Sequence, residues 1–376
     1  MKMEDYKAGH LVKCYQYSCF VPEFINHEWT WDSQNLTGLL EQAVKSLSAL
    51  DACAQFVPDI DLFIRMHVVR EASASSRIEG TRTEMEEAIL PEDSIVEERR
   101  NDWREVNNYV EAMNSAIEEL KNLPLSIRLL KEAHKRLMSG VRGETKMPGE
   151  VRTSHNWIGG SSIMTAKYIP PAQEYVPDLL GDLEKFWHND DLHVSNLIRC
   201  AISHYQFESI HPFLDGNGRI GRLLIPFYLI STGELACPSL YISAHFERNR
   251  DAYYEALSRV RTHDDLIGWV AFFLDALGTT ARTGCEKFKR IFALHDEMMT
   301  YSYNVSNTAL SQKFFRYLYS VPRVTINQVA DALDCGYQAA NRLVKPMVRD
   351  GVLVPSSDVK RNTVYDFERY LDIFRD

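Results

Sequence analysis

Apolar residues recur three and four positions apart along most of this chain, the spacing that places them on one face of a helix. Charged residues fill the opposite face in several places, for example over 97–100. The helical spacing covers 36–56, 60–78, 84–120, 125–137, 176–187 and 196–210. Strand-like segments are confined to 157–169 and the far C-terminus. The pattern predicts a mainly α-helical protein.

One dodecapeptide interrupts this pattern. Residues 211–222 read His-Pro-Phe-Leu-Asp-Gly-Asn-Gly-Arg-Ile-Gly-Arg. Pro212 ends the preceding helix, and Gly216 and Gly218 let the chain turn back at low steric cost before a second helix begins. Such a loop presents backbone N–H groups at a helix N-terminus, where they and the helix dipole attract an anion.

Four side chains of the dodecapeptide suit that anion site chemically. Arg219 and Arg222 carry fixed positive charge that matches phosphate oxygens. Asp215 offers a hard oxygen ligand for Mg²⁺, and the imidazole of His211 titrates near neutrality and can accept a proton. Together these groups predict a nucleoside-triphosphate site with a proton acceptor beside it.

The dodecapeptide resembles the signature of the Fic (Fido) family, His-Pro-Phe-x-Asp/Glu-Gly-Asn-Gly/Lys-Arg-x-Gly/Ser-Arg, and it fills every fixed position. The resemblance implies a mainly α fold, a Fic-type helical core with a small β-hairpin flap. It also implies a protein adenylyltransferase, which transfers AMP from ATP to a Tyr, Thr or Ser hydroxyl of a target protein and releases pyrophosphate.

The resemblance gives the motif residues specific roles. His211 would accept the proton of the target hydroxyl, and Asp215 would hold Mg²⁺ or Mn²⁺ between the α- and β-phosphates of ATP. The other motif residues would line the anion hole or grip the phosphates: Gly216, Asn217, Gly218, Arg219 and Arg222. A site of this kind works mainly by positioning and charge stabilisation.

Residues 75–80, Ser-Ser-Arg-Ile-Glu-Gly, resemble the inhibitory motif of the same family. The resemblance implies that Glu79 pairs with Arg222 and fills the space that the γ-phosphate needs, with Ser75 and Gly80 completing the motif. The alternative is an ordinary helix that ends at Gly80. We expect an enzyme held inactive by its own N-terminal segment.

Residues 148–171 mix strand-forming residues with glycine and end at a Pro pair, which predicts a short hairpin. The segment resembles the Fic flap, which lies over the active site and pairs by main chain with the target segment. Thr165, Lys167 and Tyr168 would belong to this flap. An ordinary surface hairpin is the alternative.

Three residues further along are candidates for nucleotide contacts. Asn249, Tyr253 and Tyr254 stand where family members contact adenine and ribose. The alternative is that the two tyrosines simply fill a helix core, because aromatic residues at helical spacing are usually buried.

The C-terminal residues change character. Here the pattern becomes helix, short turn, helix and two short strands, the order of a winged helix-turn-helix. The second helix carries Gln338, Asn341, Arg342 and Lys345, and the wing carries Lys360 and Arg361. Residues 321–376 hold eight Lys and Arg against eight Asp and Glu. Because phosphate neutralisation supplies most non-specific DNA affinity, we do not expect this module to bind DNA.

The pattern divides the chain into four regions. We predict an N-terminal helical segment with the inhibitory motif at 1–100 and a Fic catalytic core at 101–280. A helical linker at 281–310 would lead to a winged-helix domain at 311–376.

Composition narrows the class of protein. The 376 residues carry a net charge of −10, which argues against broad nucleic-acid binding, and include seven cysteines. An odd number of cysteines without a Cys-x-x-Cys pair predicts free thiols and no zinc site. Because the chain shows neither a signal-peptide pattern nor an apolar run of membrane-spanning length, we expect a cytoplasmic protein without a membrane partner.

Two alternatives to AMP transfer remain open. A Fic core can use another donor and transfer phosphate or phosphocholine, or the core can serve as the ATP-gated sensor of a DNA-binding regulator. The sequence does not specify the target protein or its modified residue, the reverse removal of AMP, the ligand of the winged helix, or whether the chain forms a homodimer.

Overall fold

The computed structural model describes residues 1–14, 16–55, 60–305, 309–356 and 363–375. Helices dominate these residues, which confirms the predicted mainly α fold. In chain order they are α1 Gln34–Gln55, α2 Ile60–Ile78, α3 Met85–Ala88, α4 Arg100–Leu120, α5 Ile127–Leu137, α6 Val176–His188, α7 Asn196–Ile210, α8 Asn217–Ser231, α9 Ser243–Arg248, α10 Arg250–His263, α11 Leu266–Val305, α12 Ala309–Ser320, α13 Ile326–Ala332, α14 Tyr337–Arg349 and α15 Glu368–Arg375. None of them, within the described ranges, is both long and apolar enough to cross a membrane.

An N-terminal hairpin was not expected from the sequence. Strands β1 (Gly9–Cys14) and β2 (Tyr17–Pro22) pair antiparallel. The expectation that strands occur only at 157–169 and the C-terminus is wrong here, because long-range docking helps to hold this short hairpin. The N–H of Phe20 donates to the carbonyl of Ile169 at 2.9 Å, and the last residues of β2 are buried.

The helices α1 and α11 pack closely along each other. A Cβ on Gly278 would lie 3.4 Å from the Cα of Ala43, in van der Waals contact with the facing helix. The helix α11 is continuous through residue 280, and the predicted boundary between core and linker therefore falls inside a helix.

Cys53 and Cys285 form a disulfide between α1 and α11, with Cα atoms 6.0 Å apart. Free thiols were wrongly expected at these two positions, because sequence spacing does not reveal helices that pack side by side.

The helix pair α7 and α8 carries the dodecapeptide: residues 211–216 connect the two helices, and residues 217–222 begin α8. Every residue of α7 after Asn196 is buried, and so are most residues of α8. The indole of Trp269 on α11 donates to the carbonyl of Ala201 at 2.8 Å. The loop between α7 and α8 is thereby held by elements that are buried on several sides.

The C-terminal residues form helices α12 to α15 and a three-stranded sheet, β3 (Arg323–Thr325), β4 (Val354–Pro355) and β5 (Val364–Asp366), in the order β3-β5-β4. The helices α13 and α14 are followed by the strands β4 and β5, while β3 precedes them and α15 follows them; the winged helix-turn-helix stays a prediction. Lys360 and Arg361, predicted on the wing, lie outside the described residues.

Candidate active site

The loop between α7 and α8 begins and ends with a residue whose backbone lies in the left-handed region. His211 ends α7 with φ 51° and ψ 60°, and Gly216 precedes α8 with φ 74°. Glycine adopts this conformation freely, whereas a histidine there carries strain and needs support from its surroundings. A Cβ at Gly216 would also lie 2.9 Å from the sulfur of Met138.

Arg152 and Asn156 provide that support. Arg152 is only 2% exposed; its Nε donates to the carbonyl of His211 at 2.9 Å, and its Nη2 donates to that of Ile210 at 3.3 Å. The amide of Asn156 donates to the carbonyls of His211 at 3.3 Å and Phe213 at 2.8 Å. Burial lowers the pKa of Arg152 to about 10, so its guanidinium stays charged at neutral pH. Neither residue was predicted from the sequence.

The imidazole of His211 is held in its neutral form. Its Nδ1 is buried and has no hydrogen-bond partner. Burial, and then the positive charge of Arg152, lower the pKa of His211 to about 4. At neutral pH the ring is therefore unprotonated and can accept a proton, as the role predicted for this residue requires.

His134 anchors the acidic end of the loop. Its Nδ1 accepts the N–H of Gly149 at 2.8 Å, so the proton of the neutral ring is on Nε2, which donates to the carbonyl of Asp215 at 2.9 Å. The ring also stacks on Phe213, with centroids 3.9 Å apart. No sequence pattern indicated His134, which lies 81 residues before its partner.

The carboxylate of Asp215 is accessible to a substrate. Its side chain is 47% exposed, and Oδ1 accepts the N–H of Gly216 at 2.6 Å. One exposed hard oxygen donor beside an anion site fits Mg²⁺, which usually takes one or two carboxylates and completes its octahedron with water and phosphate oxygens. Asp215 is the residue here that would hold such an ion.

Asn217 closes the loop on itself. Its Oδ1 accepts the N–H of Phe213 and its Nδ2 donates to the carbonyl of Phe213, both at 2.7 Å, and the residue is buried. The side-chain amide of Asn217 therefore maintains the shape of the loop. The role of Asn217 in an anion hole stays a prediction.

The ion pair predicted between Glu79 and Arg222 is present. Nη2 of Arg222 lies 2.7 Å from Oε1 of Glu79, while Nε donates to the hydroxyl of Ser75 at 2.8 Å. Arg222 is 1% exposed and Glu79 is 37% exposed. Burial raises the pKa of the Glu79 carboxyl, but the charge and hydrogen bond of Arg222 outweigh it, so the pKa falls below its ordinary value.

The Glu79 carboxylate also occupies the N-terminus of α8. A Cβ added to Gly218 would lie 2.3 Å from Oε1 of Glu79. The carboxylate thus lies against bare backbone in the first turn of the helix, where unpaired N–H groups and the helix dipole favour negative charge. Gly80, with φ 97°, turns the chain away from the site directly after it.

Arg219 is buried and bound to a carboxylate of α4. Its Nη1 lies 3.5 Å from Oε2 of Glu105, which also accepts the hydroxyl of Thr81 at 2.8 Å. Oε1 of Glu105 accepts Nε of Arg142 at 3.0 Å. The predicted phosphate contact of Arg219 stays a prediction, and Glu105, which the sequence analysis missed, holds the guanidinium in place.

The three predicted nucleotide contacts have different surroundings. Tyr253 is buried, and its hydroxyl donates to Nε2 of His204 at 2.9 Å; its contact with the nucleotide stays a prediction. Tyr254 is 41% exposed, with the guanidinium of Arg250 5.7 Å from its ring centroid. Asn249 is exposed and donates to the carbonyl of His245 at 2.9 Å.

The predicted hairpin at 148–171 is closed by a single antiparallel bridge between Ile158 and Tyr168. The hydroxyl of Tyr168 donates to the carbonyl of Ser209 at 2.7 Å, which attaches the hairpin to the end of α7. Thr165 accepts backbone N–H groups of its own turn, and Thr165 and Lys167 are exposed. The segment therefore stands beside His211 with its tip in solvent.

Comparisons with known proteins agree with this geometry. Residues 37–118 match the Fic/DOC family N-terminal model and residues 124–229 match the Fic/DOC family model. Protein adenylyltransferase fic-1 of Caenorhabditis briggsae is 29% identical over 147 residues, covering 39% of this chain and 27% of its own length. Protein adenylyltransferase Fic of Drosophila erecta is 30% identical over 164 residues, covering 43% of this chain and 30% of its own length. The chain thus matches less than a third of the length of these relatives.

Solved structures show the same fold. A Fic family protein from Desulfovibrio desulfuricans G20 superposes with a TM-score of 0.57 at 21% identity, covering 89% of this chain and 96% of that one. A fragment of Fic-1 from Caenorhabditis elegans superposes with a TM-score of 0.52 at 19% identity, covering 70% of this chain and 74% of that one.

Proposed function

The chain belongs to the Fic/DOC family, and we propose that it transfers AMP from ATP to a hydroxyl side chain of a target protein. The single observation that carries this proposal is the neutral imidazole of His211 at the start of a loop that ends on the N-terminus of α8. A proton acceptor and an anion site joined by five residues are what attack of a hydroxyl on a phosphate requires. The curated relatives named protein adenylyltransferase support the same reaction.

The reaction assigns a task to each residue. The hydroxyl oxygen of the target attacks the α-phosphorus, its proton passes to the imidazole of His211, and a phosphodiester bond forms. The bond from the α-phosphorus to the bridging oxygen breaks, and pyrophosphate leaves with that oxygen. Arg222 and the backbone of Gly216 to Gly218 stabilise the phosphate charge. Asp215 would hold Mg²⁺, which compensates charge on the α- and β-phosphates when bound.

We propose in addition that Glu79 inhibits this reaction. Its carboxylate binds Arg222 and lies against Gly218, so it fills the position where a phosphate oxygen would bind. ATP must displace an anion that belongs to the same chain, which weakens its binding and disturbs the alignment needed for attack.

The test compares two positions of the label in ATP. The Glu79→Gly chain is incubated with Mg²⁺, a cell lysate and ATP labelled either on the α-phosphate or on the γ-phosphate. Relative to the same lysate without the added chain, we expect an increase in protein labelling from the α-label alone, with a mass increase of one AMP on the modified peptide. An increase in labelling from the γ-phosphate instead would show phosphate transfer and overturn the proposal.

A further inference from the structure

Two cysteines lie on the same face of the N-terminal hairpin. Cys14 on β1 is paired in register with Tyr17, and Cys19 follows Tyr17 two residues later on β2. Because side chains alternate between faces along a strand, these three residues share one face. The sulfur atoms of Cys14 and Cys19 are 3.3 Å apart.

A histidine from the flap segment completes this group. The sulfur atoms of Cys14 and Cys19 and one ring nitrogen of His155 all lie within 4.8 Å of one another. Nδ1 of His155 is hydrogen-bonded to the hydroxyl of Tyr17, whereas Nε2 is buried and has no partner. A buried ring nitrogen without a partner is an unsatisfied ligand atom.

The register favours a bridging ion over a direct disulfide. Cys14 and Cys19 are diagonal neighbours across the hairpin, since the register partner of Cys19 is Val12. Diagonal positions are about 7–8 Å apart, beyond the usual Cα separation in a disulfide. A metal ion with bonds of about 2.3 Å to each sulfur spans this distance without moving the strands.

We propose that Cys14, Cys19 and His155 form a zinc site. Two thiolates and one imidazole are the ligands that Zn²⁺ prefers, and both thiols release their protons to solvent when the ion binds. Nε2 of His155 binds the ion while Nδ1–H donates to the Tyr17 hydroxyl, which orients the ring. In the described part of the chain no fourth His, Cys, Asp or Glu joins the group, so water takes the fourth position.

The position of His155 gives the site a structural consequence. The histidine lies between Arg152 and Asn156, the two residues that donate to the carbonyl of His211. On the other side, β2 is attached to the end of the flap segment through the bond from Phe20 to Ile169. The ion therefore fastens the hairpin to the segment that holds the catalytic loop, and metal binding should raise the melting temperature of the chain.

The test uses Co²⁺ as a spectroscopic probe on the full chain. The protein is stripped of metal, handled without oxygen so that the Cys14 and Cys19 thiols stay free and the Cys53–Cys285 disulfide stays intact, and titrated with Co²⁺ and then with Zn²⁺. We expect one equivalent of Co²⁺ to produce a thiolate-to-cobalt charge-transfer absorption, which Zn²⁺ abolishes. Cys14→Ser, Cys19→Ser and His155→Ala should each lose or greatly weaken it, and Tyr17→Phe should weaken binding by about 10–100-fold.

Cys335→Ser is the matched control, because Cys335 is another half-buried free cysteine, and it should bind Co²⁺ like the original chain. Circular dichroism verifies that each variant is folded. If the hairpin variants unfold, His155→Gln replaces them, since it leaves both thiols intact, and it should greatly weaken the Co²⁺ absorption. Charge-transfer absorption that survives Cys14→Ser and Cys19→Ser would overturn the proposal. So would the absence of Co²⁺ binding to the reduced chain, or a Cys14–Cys19 disulfide in protein purified without oxidant.

Discussion

At the scale of single residues, the site depends on side chains whose protonation is fixed by their surroundings. His211 is neutral because it is buried near Arg152, and His134 is neutral because burial lowers its pKa to about 4. Glu208, one turn before His211, shows the opposite effect: burial raises its pKa to about 7, and its Oε1 has no partner. A Cβ on Gly221 would lie 2.3 Å from that oxygen, so any larger residue there would displace the Glu208 carboxyl.

Removal of the base should abolish turnover. In the Glu79→Gly chain, His211→Ala should lower the rate of AMP transfer by about 10²–10⁴-fold, because no other group takes the hydroxyl proton. ATP affinity should change little, since the imidazole touches the attacking hydroxyl. Transfer is measured with α-labelled ATP and affinity by calorimetry. A folded variant with an unchanged rate would refute the role of His211.

Removal of the metal should have a comparable effect. Chelation of divalent ions, or Asp215→Ala, should eliminate transfer, because the phosphate charge would lack compensation. Asp178→Ala, at an exposed aspartate of α6, serves as the control and should retain full activity. Full turnover in excess chelator would mean that Asp215 only maintains the loop.

At the scale of elements, the reactive groups could be predicted from the sequence, but the residues that hold them could not. The dodecapeptide is local, so the spacing of its histidine, aspartate and arginines already indicates a site. Arg152 contacts backbone carbonyls 58 and 59 residues away, and carbonyls carry no sequence signal. Glu105 and His134 are likewise distant partners on α4 and α5.

The contacts of Arg152 with the end of α7 can be tested directly. Arg152→Lys keeps the charge but loses the planar fork that reaches several carbonyls at once. We expect the free energy of unfolding to fall by about 1–3 kcal/mol, because buried carbonyls lose their donors. Transfer by the Glu79→Gly chain should also slow as the His211 loop loosens. Urea unfolding and the transfer assay measure both, and an unchanged rate and stability would show that Arg152 is dispensable.

At the scale of the whole molecule, the C-terminal residues are packed against helix α2, which directly precedes Glu79. Phe374 of α15 contacts the ring of His67, with centroids 4.8 Å apart, and Arg375 lies 2.9 Å from Glu86. Lys287 of α11 donates to the carbonyl of Ile373 at 2.8 Å. The helical order of this region was predictable from its periodicity, but its docking was not, because packing depends on faces that only the folded chain brings together.

The buried histidines predict loss of stability in acid. Burial lowers the pKa values of His67 and His204 to about 3 and those of His134 and His211 to about 4, against an ordinary 6.5. Below pH 6.5 the unfolded chain therefore binds protons that the folded chain does not. Each such histidine lowers the free energy of unfolding by up to about 1.4 kcal/mol per pH unit.

The raised pKa of Glu208 increases the free energy of unfolding as the pH falls, because the folded state holds a proton that the unfolded state releases. This single group does not offset the four histidines. Urea unfolding at about pH 7 and about pH 5 should show a clear decrease in the free energy of unfolding. An equal or greater value at the lower pH would mean that these rings are protonated in the folded protein.

Inhibition by Glu79 is tested by the transfer rates of three chains: the original chain, Glu79→Gly and Glu79→Gln. Glu79→Gly removes the carboxylate that lies on Gly218 and frees Arg222. Glutamine keeps the bulk without the charge, and Glu98→Gly, at an exposed glutamate outside the site, is the matched control.

With α-labelled ATP at equal protein concentration, Glu79→Gly should transfer AMP at least about 100-fold faster than the original chain, because alignment for attack is worth several kcal/mol. Glu79→Gln should be intermediate, and the control should match the original chain. The free energy of unfolding should fall by less than about 1 kcal/mol, since the lost pair is partly exposed and Arg222 keeps Ser75. Equal labelling by the original chain and Glu79→Gly would show that Glu79 does not inhibit transfer.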